Sequence, residues 1–239
     1  MSTEERATLA AARARVLDRI AAAAARAGRD PSAVTLVAVC KTVPAERVRA
    51  AVAAGLDVLA ENRVQEAAAK IPEVAGAQWH LVGPLQSNKA RRTVELFDVI
   101  ESVNRLDLAQ RLDRIAGEIR PGRSLPVLLQ VNVADDPAKA GFDPGELAAV
   151  LAAILALPGL RVDGLMTIGR LEATAEACRP TFRSLRELSE LLRPRHPALG
   201  GALSMGMTDD FEVAVEEGAT IVRVGRALFG ARSHEGRHP

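Results

Sequence analysis

From Thr35 to Arg226 the chain alternates short apolar runs with amphipathic stretches, and this rhythm restricts the fold more than any other feature. Eight runs have strand length and composition: Thr35–Lys41, Asp57–Glu61, Gln78–Val82, Asp98–Val103, Val127–Val133, Val162–Ile168, Ala202–Met205 and Thr220–Gly225. Helical patterns fill the gaps at Ala45–Ala54, Val64–Lys70, Asn88–Leu96, Leu106–Ile119, Pro144–Leu155, Ala173–Leu192 and Asp209–Glu217, and a short segment, Ala227–Gly230, follows the last run. Strand then helix, repeated, is the order of βα units around a parallel sheet. Eight evenly spaced units predict an α/β fold closed into a TIM-type (β/α)8 barrel. An open doubly wound sheet is the alternative, but no Gly-rich dinucleotide fingerprint follows the first run.

Ahead of the barrel, residues 3 to 27 predict one long helix, with Ser2 and Glu5 spaced as a capping box and Gly28 just past its end. Leu9, Val16, Leu17 and Ile20 fall on one face, so the helix should dock on a body. No low-complexity linker divides the chain. The expectation is a single domain, with the N-terminal helix in 1–28, the barrel in 35–230 and a polar tail in 231–239.

Several classes of function are disfavoured. The 31 basic and 30 acidic side chains leave a net charge of +1 with no block of like charge, which argues against nucleic acid. The longest apolar run, Leu147 to Leu157, is well short of the roughly 20 residues that span a bilayer, so no membrane association is expected. Glu4 and Glu5 precede the first apolar residues and no secretory h-region is present. With only Cys40 and Cys178 there is no disulfide scaffold or zinc cluster, and a cytoplasmic protein is expected. The chain has no tyrosine, which excludes a phenol from its own chemistry, and only four lysines, Lys41, Lys70, Lys89 and Lys139, against 27 arginines.

In a barrel the site lies at the C-terminal ends of the strands. Those positions hold Lys41, Glu61 and Asn62, His80 with Gly83, Ser102 with Asn104, Asn132, Thr167, Ser204 with Gly206, and Arg223 with Gly225. Lys41 closes the run Leu36-Val37-Ala38-Val39-Cys40 and shares parity with Val37 and Val39, so inward-facing valines would carry its amine into the barrel mouth. Desolvation there would lower its proton affinity, as an imine-forming amine requires. A lysine that ends a strand and snorkels to water is the competing reading. Cys40 has the opposite parity and is expected to pack between barrel and helices. Lys70 ends a short helix, Lys89 lies beside Arg91 and Arg92, and Lys139 sits in a loop, which makes them weaker candidates.

The last two units suit an anion. Ser204-Met205-Gly206-Met207 leads into the helix start Thr208-Asp209-Asp210, and Val224-Gly225-Arg226 leads into the final short segment. Glycines at strand ends admit close backbone approach, and barrels often bind phosphate after strands seven and eight. Arg223 lies inside a strand buried on both faces, so it needs either a structural carboxylate or a ligand. Asp209 and Asp210 read as helix-start groups. His80 has no second ligand at metal spacing, and no metal is proposed.

These features meet in specific segments: Leu36-Val37-Ala38-Val39-Cys40-Lys41-Thr42, Glu61-Asn62-Arg63-Val64-Gln65-Glu66, Trp79-His80-Leu81-Val82-Gly83-Pro84-Leu85-Gln86-Ser87-Asn88-Lys89, Gly164-Leu165-Met166-Thr167, Leu203-Ser204-Met205-Gly206-Met207-Thr208-Asp209-Asp210 and Val222-Arg223-Val224-Gly225-Arg226-Ala227-Leu228-Phe229-Gly230. In their order and spacing they resemble the pyridoxal-phosphate homeostasis protein family, the YggS/PROSC-like proteins, which in turn resemble the N-terminal barrel of alanine racemase. The resemblance implies a protein that holds pyridoxal 5'-phosphate as a Schiff base on Lys41 without dedicated turnover. It places the phosphate on the Ser204-Met205-Gly206 segment, Gly225 and Arg226, sets Arg223 against the pyridine nitrogen and Asn62 beside the ring, and leaves amino acids open as further ligands. Arg63 stands where the family often has tyrosine, and Arg226 where a small hydroxyl residue often follows the glycine.

An amino-acid racemase using the same linkage is the alternative, and a Schiff-base aldolase is a third reading. Against the racemase, the resemblance suggests that alanine racemase draws its second acid/base from a tyrosine in a C-terminal domain. No tyrosine is present here, and the sequence ends nine residues after Gly230, so no second domain is expected.

Overall fold

A computed structural model describes residues 2–169, 172 and 174–230. The eight strands are β1 (Thr35–Val39), β2 (Val58–Glu61), β3 (Gln78–Leu81), β4 (Val99–Val103), β5 (Leu125–Gln130), β6 (Leu160–Met166), β7 (Ala202–Ser204) and β8 (Ile221–Val224). All neighbouring pairs are parallel, and β8 pairs back onto β1 to close the barrel. The helices are α1 (Thr3–Arg26), α2 (Ala45–Ala53), α3 (Val64–Lys70), α4 (Ala90–Leu96), α5 (Leu106–Ile119), α6 (Pro144–Leu155), α7 (Arg179–Leu192), α8 (Phe211–Glu216) and α9 (Arg226–Phe229).

Alternation along each strand sorts side chains to the two faces. The outward residues, among them Ala38, Leu59, Leu81, Ile100, Leu129, Leu165 and Val222, pack with the helices into the main core. A second, much smaller apolar cluster of Val37, Ala60 and Val82, with Val39, Val58 and Ile221 against it, lies inside the barrel. Strand register continues that inner row: Ala60 pairs with His80, His80 with Val99, Met166 with Ser204, Ser204 with Ile221, and Arg223 with Val37. Polar side chains therefore occupy much of the interior above the valines.

Helix α1 begins where its cap predicts, with the Ser2 Oγ accepting from the Glu5 N–H at 3.1 Å. It buries Leu9, Val16, Ile20, Ala23 and Ala24 and packs against α2, α8 and α9, across the seam where β8 meets β1. Arg19 pairs with Glu212 at 3.1 Å and Arg26 with Glu216 at 2.6 Å along the same contact.

Several boundaries move from their expected places. β1 stops at Val39, because Thr42 adopts a left-handed φ of 65° that turns the chain off the barrel. β5 and β6 each start and end earlier than predicted. Pro126 does not break β5; it sits opposite Arg161 while the Leu125 N–H bonds Gly159 O at 2.8 Å. Short 3-10 turns replace the first residues expected in α4 and α7. The start of the Ala173–Leu192 prediction and the tail 231–239, with His234 and His238, lie outside the described residues. Among the described residues, no helix is long and apolar enough to cross a membrane, and no group of three or more His, Cys, Asp or Glu side chains could hold a metal.

Candidate functional site

Lys41 lies two residues past β1 at the barrel mouth, half-buried, on the parity of the interior valines Val37 and Val39. Cys40 takes the outer face as expected. Its thiol lies 3.4 Å from Ala60 O and 3.5 Å from the Glu61 carboxylate, and burial pushes its pKa far up, which disfavours the thiolate. Lys70 departs from its reading as an ordinary helix-end lysine. It is buried, forms an ion pair with Glu61, and donates to Cys40 O at 2.8 Å. Lys139 donates to the carbonyls of Ile168, at 3.1 Å, and Gly169, which ties two mouth loops together.

The glycines after β7 and β8 have geometric reasons. Gly206 has φ 91°, and a Cβ there would stand 2.5 Å from Ala214 Cβ and 2.9 Å from Phe211 Cα, so only glycine lets this turn lie against α8. Its carbonyl accepts the Arg223 N–H at 3.0 Å, which seats the β7 loop beside β8. At Gly225 a Cβ would approach Val39 O to 3.2 Å, so this residue brings the end of β8 against the strand that carries Lys41. Gly225 also caps α9, whose first N–H groups have no acceptor within the helix.

The side chains around these glycines are placed differently from one another. Met205 is fully buried in the outer core and its N–H bonds Ile221 O at 3.1 Å, so its side chain does not face the mouth, as its parity opposite to Ser204 requires. The exposed Arg226 guanidinium pairs with Asp209 across the rim. Asp210 accepts the Met207 N–H at 2.6 Å, and burial raises its carboxyl above the usual range.

Beneath the mouth runs a buried polar chain whose hub is Glu101. One carboxylate oxygen is 2.6 Å from His80 Nδ1, and the other accepts from Ser204 Oγ at 2.5 Å. Arg223 donates to Ser204 Oγ at 2.6 Å and to Thr167 O at 2.8 Å, and lies 3.9 Å from Glu101. Burial alone would raise the Glu101 carboxyl, but the hydrogen bond and charge of His80, the charge of Arg223 and the Ser204 hydroxyl outweigh it and hold the carboxyl below its ordinary value. Burial lowers Arg223, against the pull of Glu101 and Asp210. The structural reading of Arg223 is the one these contacts show, with Glu101 as its nearby carboxylate. Ser204 faces inward and spends its hydroxyl proton on Glu101. Glu101 was not among the expected site residues, although its parity with Val99 already turned it inward. Among the described residues, His80 Nε2 is buried with no hydrogen-bond partner.

Asn62 follows β2 at the mouth, half-buried. Gly83 passes so close that a Cβ would stand 2.1 Å from Asn62 O, and Gly83 O accepts from Ser102 Oγ at 2.6 Å. Lys41, Asn62, Gly206 and Gly225 therefore follow β1, β2, β7 and β8 at the same end of the barrel, with Arg223 within β8 beneath them.

A family model described as alanine racemase, N-terminal domain, matches residues 13–233. The pyridoxal phosphate homeostasis protein of Pseudomonas aeruginosa is 48% identical over 232 residues, covering 95% of this chain and 97% of that protein. The chain belongs to this family. Its counterpart in Escherichia coli is 42% identical over 227 residues, covering 92% of this chain and 95% of the other. Among solved structures, PipY of Synechococcus elongatus without PLP superposes with a TM-score of 0.79 at 46% identity, over 90% of this chain and 99% of PipY. PipY with PLP bound gives 0.78 at 45% identity, over 90% and 100%. An alanine racemase from Clostridium difficile, at 14% identity and TM-score 0.68, covers 92% of this chain with 60% of its own, and shares the barrel fold.

Proposed function

We propose that this protein binds pyridoxal 5'-phosphate through a Schiff base on Lys41 and serves in homeostasis of that cofactor. The observation that carries the reading is the convergence, in one barrel mouth, of a half-buried lysine with two close-packed glycine turns and a buried arginine. When bound, the cofactor supplies an aldehyde that condenses with amines and a ring that can accept electrons.

The remaining roles belong to the chain. Lys41 is the attachment amine. The backbone about Gly206 and Gly225, with the N–H of Arg226, forms the phosphate cup; without a Cβ, Gly206 lets its turn lie against α8 and Gly225 lets the end of β8 approach Val39 O. Ser204 supports the cup from below by fixing Arg223 and Glu101, and Met205 contributes main chain only. Asn62 flanks the ring, and Arg223 faces its nitrogen. An arginine remains a proton donor and leaves that nitrogen unprotonated, which weakens the ring as an electron sink. Together with the absence of tyrosine from the 239 residues, this favours a carrier over a racemase.

Amino acids are proposed as further ligands, since their amines compete for the same aldehyde. Residues 1–239 are taken as one binding unit, with nucleic acid and membranes outside its partners. Two buried free cysteines fit a reducing, cytoplasmic compartment. Borohydride reduction of cofactor-loaded protein, followed by peptide mass spectrometry, tests the assignment: a pyridoxyl group on the Lys41 peptide is expected, and attachment elsewhere would refute it.

A further inference from the structure

Helix α3 touches the backbone on both sides of Lys41, from two residues one helical turn apart. Lys70 Nζ donates to the carbonyl of Cys40, the residue before Lys41, at 2.8 Å. The Glu66 carboxylate accepts the N–H of Thr42, the residue after it, at 3.3 Å. Positions four apart on a helix share a face, so one rigid element can make both contacts.

Each contact is itself secured. Lys70 is 8% exposed and pairs with Glu61, which is fully buried, so its ammonium is held where it is. The other oxygen of Glu66 lies 3.6 Å from Arg63. Arg63 is the residue that stands where the family often has tyrosine, and here it helps to orient Glu66. Between the two contacts the chain is under strain: Thr42 is a β-branched residue at φ 65°, a conformation that persists only where neighbours enforce it. The Thr42 hydroxyl, 2.6 Å from Lys41 O, adds a third local restraint.

We propose that α3 is a two-point clamp on the Lys41 peptide, with Lys70 and Glu66 as positioning residues that aim the Lys41 amine into the barrel mouth. The proposal rests on Lys41 as the attachment site. A lysine side chain is long and flexible, so the geometry of its Cα decides how often the amine meets an aldehyde fixed by its phosphate. Condensation joins the amine nitrogen to the aldehyde carbon and releases one water, and the clamp acts only on how readily that bond forms.

The test compares two ligands that share ring and phosphate. Pyridoxal phosphate can condense with Lys41; pyridoxamine phosphate, with an aminomethyl group in place of the aldehyde, cannot. Dissociation constants for both are measured on wild type, Glu66→Ala, Glu66→Gln and the double variant Glu61→Gln/Lys70→Met, which removes the buried charges as a pair. Glu66→Ala and the double variant should each weaken pyridoxal phosphate by roughly 3- to 10-fold, the factor of one lost hydrogen bond, while Glu66→Gln, which keeps an acceptor, stays within about twofold of wild type. Pyridoxamine phosphate should bind all four alike.

Equal weakening of both ligands would mean that α3 merely supports the fold, and no change for either in Glu66→Ala would mean that there is no clamp. Should the double variant fail to fold, Glu66→Ala and Glu66→Gln decide alone, because that contact is at the surface. A wild type whose reduced adduct lies elsewhere than Lys41 would refute the parent reading instead, so the two failures are distinct.

Discussion

Replacing Glu101 by glutamine keeps the side chain's size and removes its charge, which isolates what the carboxylate does for the barrel interior. In the native protein Glu101 is fully buried, 2.6 Å from His80 Nδ1 and 2.5 Å from Ser204 Oγ, with the Arg223 guanidinium at 3.9 Å. Glutamine has only one acceptor oxygen, so its NH2 group must face either His80 or Ser204, and Arg223 loses its nearest carboxylate. Hydrogen bonds to charged groups contribute about 1.5–3 kcal/mol each, and removing one partner of a buried pair costs about 3–5 kcal/mol. A loss of about 3–5 kcal/mol is expected, a large part of the roughly 5–15 kcal/mol that holds a domain folded.

Urea unfolding of the cofactor-free protein at pH 7 measures it, with Arg223→Met and the double variant completing a cycle. The double variant should lose less than the sum of the singles by more than about 1 kcal/mol, because it leaves no orphaned charge. The effect has a defined pH dependence. A carboxyl held low in the folded state stabilises the protein above its unfolded value, near 4.3, and loses that contribution as pH falls through the lower folded value. The gap between wild type and Glu101→Gln should therefore narrow in acid. A Glu101→Gln protein within about 1 kcal/mol of wild type at pH 7, or strictly additive losses, would refute the reasoning.

Further outcomes follow from the cup and the chain's chemistry. Gly206→Ala forces a non-glycine residue to φ 91° and against Phe211 Cα at 2.9 Å, so it should destabilise by about 2–5 kcal/mol, read from thermal unfolding. Gly225→Val, where φ is −117° and the obstacle is Val39 O at 3.2 Å, should instead weaken pyridoxal phosphate in an equilibrium titration more than it lowers stability. Pyridoxal phosphate should outbind unphosphorylated pyridoxal by several kcal/mol if charge-assisted bonds of about 1.5–3 kcal/mol each hold the phosphate, and equal affinities would rule the cup out. Cofactor-loaded protein given single enantiomers of several amino acids should show no sustained α-proton exchange or loss of optical rotation; sustained racemisation that vanishes in Lys41→Ala would promote the enzyme reading.

The barrel was legible because two periodicities, strand and helix, alternate without interruption, and the motif segments carry the family assignment on their own. Parity along β1 put Cys40 on the outer face, where it packs in the main core, and Lys41 follows in the turn at the barrel mouth. What sequence could not supply was contact across the barrel. Glu101 sits on β4, 103 residues from Ser204, and only closure of the sheet brings them together. Lys70 looked like an ordinary C-terminal helix charge because its partner Glu61 is on a neighbouring strand. Met205 shares the segment of Ser204 and Gly206, but its side chain, just past β7, packs in the outer core. The shifted ends of β5 and β6 reflect hydrogen bonding to neighbouring strands, which apolar runs alone do not encode.

The most direct test of the proposed attachment remains chemical. Purified protein is loaded with pyridoxal phosphate, reduced with borohydride, digested and sequenced by mass spectrometry, beside a Lys41→Ala control. A single pyridoxyl adduct on Lys41, absent together with the yellow colour in Lys41→Ala, is the expected result. An unmodified Lys41 in fully yellow, reduced protein, with the adduct on Lys70, Lys89 or Lys139, would contradict it.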